Sequence, residues 1–348
     1  MSACERRVGV VIVTYGAGDF LPLAVESLLA QTTPPHRIVV VDNGSGVAAL
    51  HPSVELITPG SNLGFAAANN LGVSQCADCE YVALVNPDAF PEPAWLETLV
   101  AAAETHPEHA VFGSRLLTYD DDRFLDGTGD CYHVSGLAFR RDGGASAAVE
   151  RPTADTFSAC AAAVLYRRDA FLAVGGFDES FFCYYEDTDL AFRLRLAGHR
   201  CLYVSDAVAR HVGSVTAGLT SDFTVYHSAR NQTWTFVKNM PGGLVWLYLP
   251  QHLLVSALLV LRAVPLRGTR ASLRGKRDAV RGLPRVLAER RRVQAGRRAG
   301  ASALRRSMSR GPGVYALPLV LSARARRQRL DQAAASAAAE TKAAPLLG

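Results

Sequence analysis

The chain predicts an α/β fold built on a doubly wound, mostly parallel sheet, and three observations carry that expectation. Short runs of β-branched residues alternate with segments of helical spacing through the first hundred residues. Polar residues gather where the apolar runs stop, as they do outside the carboxyl ends of strands in open α/β sheets. The 348 residues are 49% hydrophobic and 20% charged, which is enough apolar surface to bury both faces of such a sheet.

Val8–Thr14 has no polar alternation and reads as a strand buried on both faces. Residues 19–31 follow with Phe20, Leu21, Ala24, Val25, Leu28 and Leu29 at helical spacing. Pro34 and Pro35 mark a loop before a second strand, 37–41, which ends in Asp42. Val54–Ile57 reads as a short third strand, 65–73 as a helix of small residues, and Tyr81–Val85 as a fourth strand ending at Asn86-Pro87-Asp88. An amphipathic helix covers 93–103. From about 119 to 154 the chain turns glycine-rich, an inserted ribbon in which Tyr132, Val134, Leu137 and Phe139 retain some alternation. A helix-forming stretch at 168–174 then leads to FFCYYEDTDLAFRLRLAGHR at 181–200. There Leu190, Phe192, Leu194 and Leu196 can face a core while Arg193 and Arg195 diverge.

The polar residues at the strand ends are Thr14, Tyr15 and Gly16, then Asp42, Asn43, Gly44 and Ser45, then Asn86, Pro87 and Asp88. Asp, Asn and Gly also favour turns, so each group alone has a structural reading. Three groups converging on one edge point to a ligand. Asp88, with Asn86 two residues before it, offers the hard oxygens that magnesium or manganese takes beside a diphosphate. Glu186, Asp187 and Asp189 fall at a helix N-terminus, where capping accounts for one or two carboxylates. Three of them beside Phe177, Phe181, Phe182, Tyr184 and Tyr185 suggest a cleft with a partly desolvated general base.

VIVTY at 11–15, VVDNGS at 40–45, NLGFAAANN at 62–70, LVNPD at 84–88 and GGFDESFFCYYEDTDLAFRLRLAGHR at 175–200 together resemble a family 2 glycosyltransferase. The resemblance runs from about Val8 to His211, with a weaker extension to Pro241, and implies the GT-A fold. It implies that Thr14 and Tyr15 line a nucleotide pocket, that Asp42 accepts a hydrogen bond from the base, and that Asn62, Gly64 and Asn69 border the donor. Asp88 becomes the metal-binding acid of a D-x-D element that here reads Asn86-Pro87-Asp88, so Asn86 offers a neutral oxygen or a water-mediated contact where the pattern has an acid. Asp187 matches the catalytic base, with Glu186 beside it to hold the acceptor hydroxyl. His211 matches a histidine that completes the metal site in some members, although an isolated histidine after an apolar segment also reads as a loop residue. The implied cofactor is a divalent metal, Mg2+ or Mn2+. The implied reaction inverts the sugar by direct displacement from a dTDP- or UDP-sugar donor. The insert GTGDCYHVSGLAFRRDGG resembles the rhamnosyltransferase-like subset of bacterial surface polysaccharide synthesis. That subset implies dTDP-rhamnose as donor and a lipid-linked or glycan acceptor.

Seven cysteines without framework spacing read as reduced thiols of a cytoplasmic protein, and the lone Cys76-x-x-Cys79 as small packing residues. Glu5, Arg6 and Arg7 lead straight into a strand-length apolar run, so no signal peptide is expected at the start. The charge is unevenly spread: between Arg262 and Arg310 basic residues dominate, with Asp278 and Glu289 the only acids. Before them stands GGLVWLYLPQHLLVSALLVL, uncharged, of membrane-spanning length and interrupted by Pro250, Gln251 and His252. A broken span, an in-plane helix and a buried hairpin all fit this pattern. Either way the basic residues suit an anionic membrane surface at the inner face of the cell membrane. No aromatics interleave with them, so nucleic acid is not expected. The expected organisation is a catalytic domain at 1–240, a helical membrane-associating region at 241–330 and a disordered Ala-rich tail at 331–348. A nucleotidyltransferase would need a basic loop after the first strand, which VTYGAGDF lacks. A tethered, inactive nucleotide-sugar-binding module would have no use for Asp88 and the Glu186-Asp187 pair.

Overall fold

The computed structural model describes residues 6–16, 19–47, 50–213, 221–263 and 268–312. Cys4, residues 313–330 of the expected helical region and the Ala-rich tail lie outside them. The strands are β1 (Val8–Thr14), β2 (Arg37–Asp42), β3 (Val54–Ile57), β4 (Tyr81–Val85), β5 (Ala89–Pro91), β6 (His109–Thr118), β7 (Leu125–Gly127), β8 (Asp130–Tyr132), β9 (Ala138–Arg140), β10 (Ala154–Thr156), β11 (Ala163–Arg167) and β12 (Arg200–His211). The helices are α1 (Leu21–Leu29), α2 (Gly64–Gln75), α3 (Trp95–Thr105), α4 (Arg168–Ala173), α5 (Glu186–Leu196), α6 (Asp222–Asn239), α7 (Gly242–Ala263), α8 (Thr269–Arg281), α9 (Leu283–Ala295) and α10 (Ala301–Ser307).

The main sheet runs β10-β12-β6-β11-β4-β1-β2-β3. β3, β2, β1 and β4 pair in parallel, β11 is antiparallel to β4 and to β6, and β12 returns parallel to β6. The expected mostly parallel α/β sheet is therefore present. Its strands alternate side chains between two buried faces: Val8, Val10 and Ile12 pack with α1 and α3, while Val11 and Val13 pack with α2, α4 and α5. Cys76 lies against β1, and a Cβ at Gly9 would stand 2.3 Å from its Sγ. Burial pushes the Cys76 thiol up to about 12, in keeping with a packing role for Cys76 and Cys79. The six described cysteines are free thiols.

The glycine-rich insert folds as a β8–β9 hairpin whose Tyr132, Val134 and Leu137 are buried. α5 departs from expectation. Arg193 and Arg195 are buried as well: Arg193 pairs with Asp189 and the Val174 carbonyl, and Arg195 donates to the carbonyls of Phe157 and Thr156. The apolar segment after Pro241 forms one continuous helix, α7, with Pro250 inside it.

Candidate active site

Because β1, β2, β4, β6 and β12 run the same way, their carboxyl ends share one edge of the sheet. The antiparallel β11 brings its amino end to that edge, and with it Ser158 and Cys160. Thr14, Asp42, Asp88 and His211 therefore gather from distant parts of the sequence.

At the β2 end, Asp42 Oδ1 accepts the N–H groups of Gly44 (3.1 Å) and Ser45 (2.6 Å), and Oδ2 those of Gly46 (3.1 Å) and Val47 (2.9 Å). Burial would raise this carboxyl, but four donors hold it below its ordinary value. In this arrangement Asp42 shapes the 43–47 loop, and a base would have to displace one of those donors to reach it. Thr14 is buried with its hydroxyl 3.2 Å from Ser45 Oγ, and Tyr15 is exposed. Asn43 donates to Asn62 Oδ1 (2.9 Å) and accepts from the Leu63 N–H, which ties this loop to the start of α2. Gly64 has φ +80°, and a Cβ there would stand 2.5 Å from the Phe182 ring. That close approach brings the 181–185 segment against the α2 start. Asn69 is buried and donates within α2 to the Phe65 carbonyl, and Asn86 pairs through its backbone with Ala162 and Ala89.

Asp88 and His211 meet directly. Asp88 Oδ1 lies 3.5 Å from His211 Nε2, and His211 Nδ1 lies 3.0 Å from Asp126 Oδ2. Burial alone would lower His211, but the two carboxylates raise it to about 9. Asp126 in turn sits 2.8 Å from Arg140, whose Nε is 2.8 Å from Asp130 Oδ1. Burial opposes the Arg140 and His211 charges at Asp126, which still falls to about 2. At Asp130 burial wins over Arg140, and Asp187 and Asp126 add to it, so this carboxyl rises to about 7.

The three acids of α5 have three different settings. Asp189 is fully buried and paired with Arg193 and Lys238. Glu186 is buried, and its Oε2 has no hydrogen-bond partner among the described residues. Burial, then the charges of Asp187 and Asp189, push it well above the usual carboxylate range, which favours its protonated form. Asp187 is half-buried and accepts the Thr188 N–H at 2.6 Å. Burial raises its pKa, while Thr188 and the Arg140 charge hold it back. Arg140 thus links Asp187 electrostatically to the chain that ends at Asp88.

The donor set fits a divalent cation. A carboxylate and an imidazole converge, and the second ring nitrogen is held by Asp126, the outer contact that orients metal-binding histidines. Binding of a cation would displace the His211 proton. A second cluster, His106, Glu108 and His109, stands at the opposite edge, at the amino end of β6, and is engaged by Arg200 and Asp155. The sequence alone does not single out Asp126, Asp130 or Arg140. The local sequence offers only two acids flanking Gly127-Thr128-Gly129, with Arg140 ten residues after the second.

The Glycosyl transferase family 2 model matches residues 9–175. An N-acetylglucosaminyl-diphospho-decaprenol L-rhamnosyltransferase of Mycobacterium tuberculosis is 29% identical over 286 residues, 73% of this chain and 91% of that protein. Rhamnosyltransferase WbbL of Escherichia coli is 28% identical over 226 residues, 59% of this chain and 83% of that protein. A crystal structure of GalNAc-T7 with UDP, GalNAc and Mn2+ superposes with a TM-score of 0.55 at 14% identity, over 67% of this chain and 48% of the other. The fold is the GT-A fold.

Proposed function

We propose, from a chain that is a glycosyltransferase carrying a family 2 domain, that it inverts the anomeric carbon of a nucleotide sugar in transfer to an acceptor hydroxyl. One observation carries this: Asp88, His211 and Asp187, far apart in sequence, join one charge-coupled chain on the carboxyl edge of the sheet through Asp126 and Arg140.

Asp187 takes the acceptor proton as the hydroxyl oxygen attacks the anomeric carbon. Burial raises its pKa, which makes it a stronger base than an exposed aspartate, and the Thr188 N–H and the Arg140 charge limit that rise. Glu186, beside it and with Oε2 unpartnered among the described residues, holds the acceptor hydroxyl. Thr14, Tyr15 and the loop shaped by Asp42 receive the nucleoside, with Asn62 and Gly64 at its border. Asn69 packs α2 behind that border, and Asn86 adds a neutral oxygen near the diphosphate. Asp88 and His211 would hold Mg2+ or Mn2+, which supplies positive charge to the departing diphosphate. L-rhamnose from dTDP-rhamnose is the proposed transfer, and a lipid-linked or glycan hydroxyl the proposed acceptor. Two relatives named as rhamnosyltransferases support this choice.

The helical region 241–330 is proposed to rest on the inner face of the cell membrane. α7 leaves Trp246, Leu247, Leu253 and Leu254 exposed while Tyr248, His252 and Val255 are buried in the protein. One packed face and one apolar open face favour a helix lying in the interface over one crossing it.

Asp187→Asn tests the chemistry. Transfer from dTDP-rhamnose should fall by about two to four orders of magnitude. The thermal shift with dTDP-rhamnose and Mn2+ should persist, because binding to the folded state alone raises the melting temperature. Undiminished turnover would remove Asp187 as base, and a larger shift with UDP-sugars would replace the donor.

A further inference from the structure

We infer that an arginine-lined cavity between the start of α7 and α9 is a binding site for the phosphate headgroup of an anionic membrane lipid. The inference rests on the proposed membrane contact and gives it a defined anchor. The cavity, of about 440 Å³, is lined by Gly242, Leu287, Arg290, Arg291, Gln294 and Arg297. That volume lies in the range of ligand pockets, about 300–1,000 Å³.

The wall residues divide the work. Arg290 donates to the carbonyls of Val237 and Met240, and Gln294 to that of Asn239, so both are committed to closing the end of α6. Arg291 and Arg297 are exposed, and neither has a carboxylate partner among the described residues. No acid lines the cavity, and the nearest acid along α9, Glu289, is taken by Arg285 at 2.5 Å. An uncompensated pair of guanidinium groups, each a fork of donors, is suited to a phosphate.

The apolar surroundings distinguish a lipid from a free anion. Leu287 on the wall is exposed. Trp246 and Leu253 follow Gly242 at i+4 and i+11 on α7, so they share its side of the helix, and they are 74% and 60% exposed. A polar pocket therefore opens onto a hydrocarbon-compatible track, which matches a headgroup continued by acyl chains. The cavity lies behind α5, on the side to which Asp189 turns through Lys238 and Asn239. It is thus separate from the Asp187 site.

Co-sedimentation of the full chain with phosphatidylcholine vesicles, with and without phosphatidylglycerol, is the test. The unmodified protein should prefer the anionic vesicles. Arg291→Gln with Arg297→Gln should weaken that binding about 30-fold, from ~1 kcal/mol per basic residue near the surface. A control pair outside the cavity, Arg298→Gln with Arg306→Gln, should lose several-fold less. Equal losses from both pairs, or none from the cavity pair, would overturn the headgroup site while leaving membrane contact intact. Failure of the unmodified protein to bind any vesicle would overturn membrane contact itself. Displacement from the vesicles by millimolar-range inorganic phosphate would reassign the cavity to a free anion.

Discussion

Arg140 sets the charge balance of the site, because its guanidinium is shared by Asp126 and Asp130 and its field reaches Asp187. Burial raises Asp187, and Arg140 works against that rise. Removing the cation should therefore raise the base further, so that a larger fraction is protonated at any given pH. For Arg140→Met we expect the acid limb of kcat/KM to move to higher pH by about one to three units, the effect of losing an opposite charge nearby. A pH–rate profile measures it, and an unmoved limb would show that Arg140 does not govern the base. Asp88, Asp187 and His211 are visible in the sequence because each ends an apolar strand or starts a helix, which is a local signal. Asp126, Asp130 and Arg140 have no such signal. Only the β8–β9 pairing and the return of β7 onto β6 bring them together. Asp42 is legible in position but not in detail, since a sequence does not reveal that four backbone donors already occupy its oxygens.

The segment that delivers α5 to the site is held against its own preference. Phe182, Tyr184 and Tyr185 have φ of 65°, 68° and 69°, the left-handed region that costs non-glycine residues about 1–3 kcal/mol each. Asn231 on α6 offsets this. It is fully buried, and its Nδ2 donates to the carbonyls of Phe181 (3.0 Å), Cys183 (2.9 Å) and Tyr184 (2.7 Å). Arg230 adds contacts to the carbonyls of Ser180 and Phe181. Asn231→Ala should let the segment relax and move the α5 start, and a displacement near 1 Å costs about 10²-fold in rate. Steady-state kinetics and urea unfolding on the same protein check this; an unchanged kcat would confine Asn231 to stability. The sequence shows the helix start through its acids but not the clamp, because Asn231 lies 44 positions after Asp187 in an ordinary helical stretch.

Across the whole molecule, buried charge ties the C-terminal helices to the sheet. Lys238 is 2% exposed and lies 2.6 Å from Asp178 and 2.8 Å from Asp189. Burial would raise Asp178, but Lys238, Ser180 and Arg285 bring it well below the ordinary carboxylate value. Its contribution to stability is therefore complete above about pH 4, the unfolded value. It is lost as pH falls through the lower folded one. Lys238→Met removes the cation shared by buried Asp189 and half-buried Asp178, leaving them only Arg193 and the more distant Arg285, and should cost up to about 3–5 kcal/mol. Urea denaturation near neutral pH measures it, and a cost below about 1 kcal/mol would mean that the acids find other partners. The division expected at residue 240 follows a real change in composition, yet composition is blind to packing across it. Trp234 donates to the Ala279 carbonyl, Phe236 stacks on His252 at 4.2 Å, and a Cβ at Gly275 would stand 2.5 Å from the Tyr226 carbonyl oxygen. Each of these contacts joins α6, before the boundary, to α7 or α8, after it. We therefore propose that 1–240 does not fold as an independent unit. Truncation after Met240 uncovers Trp234, Phe236 and Met240 together, an apolar patch that promotes association. The truncated chain should aggregate or elute as a large species in size-exclusion chromatography. A soluble monomer that still binds a nucleotide sugar would make the helices a separable appendage.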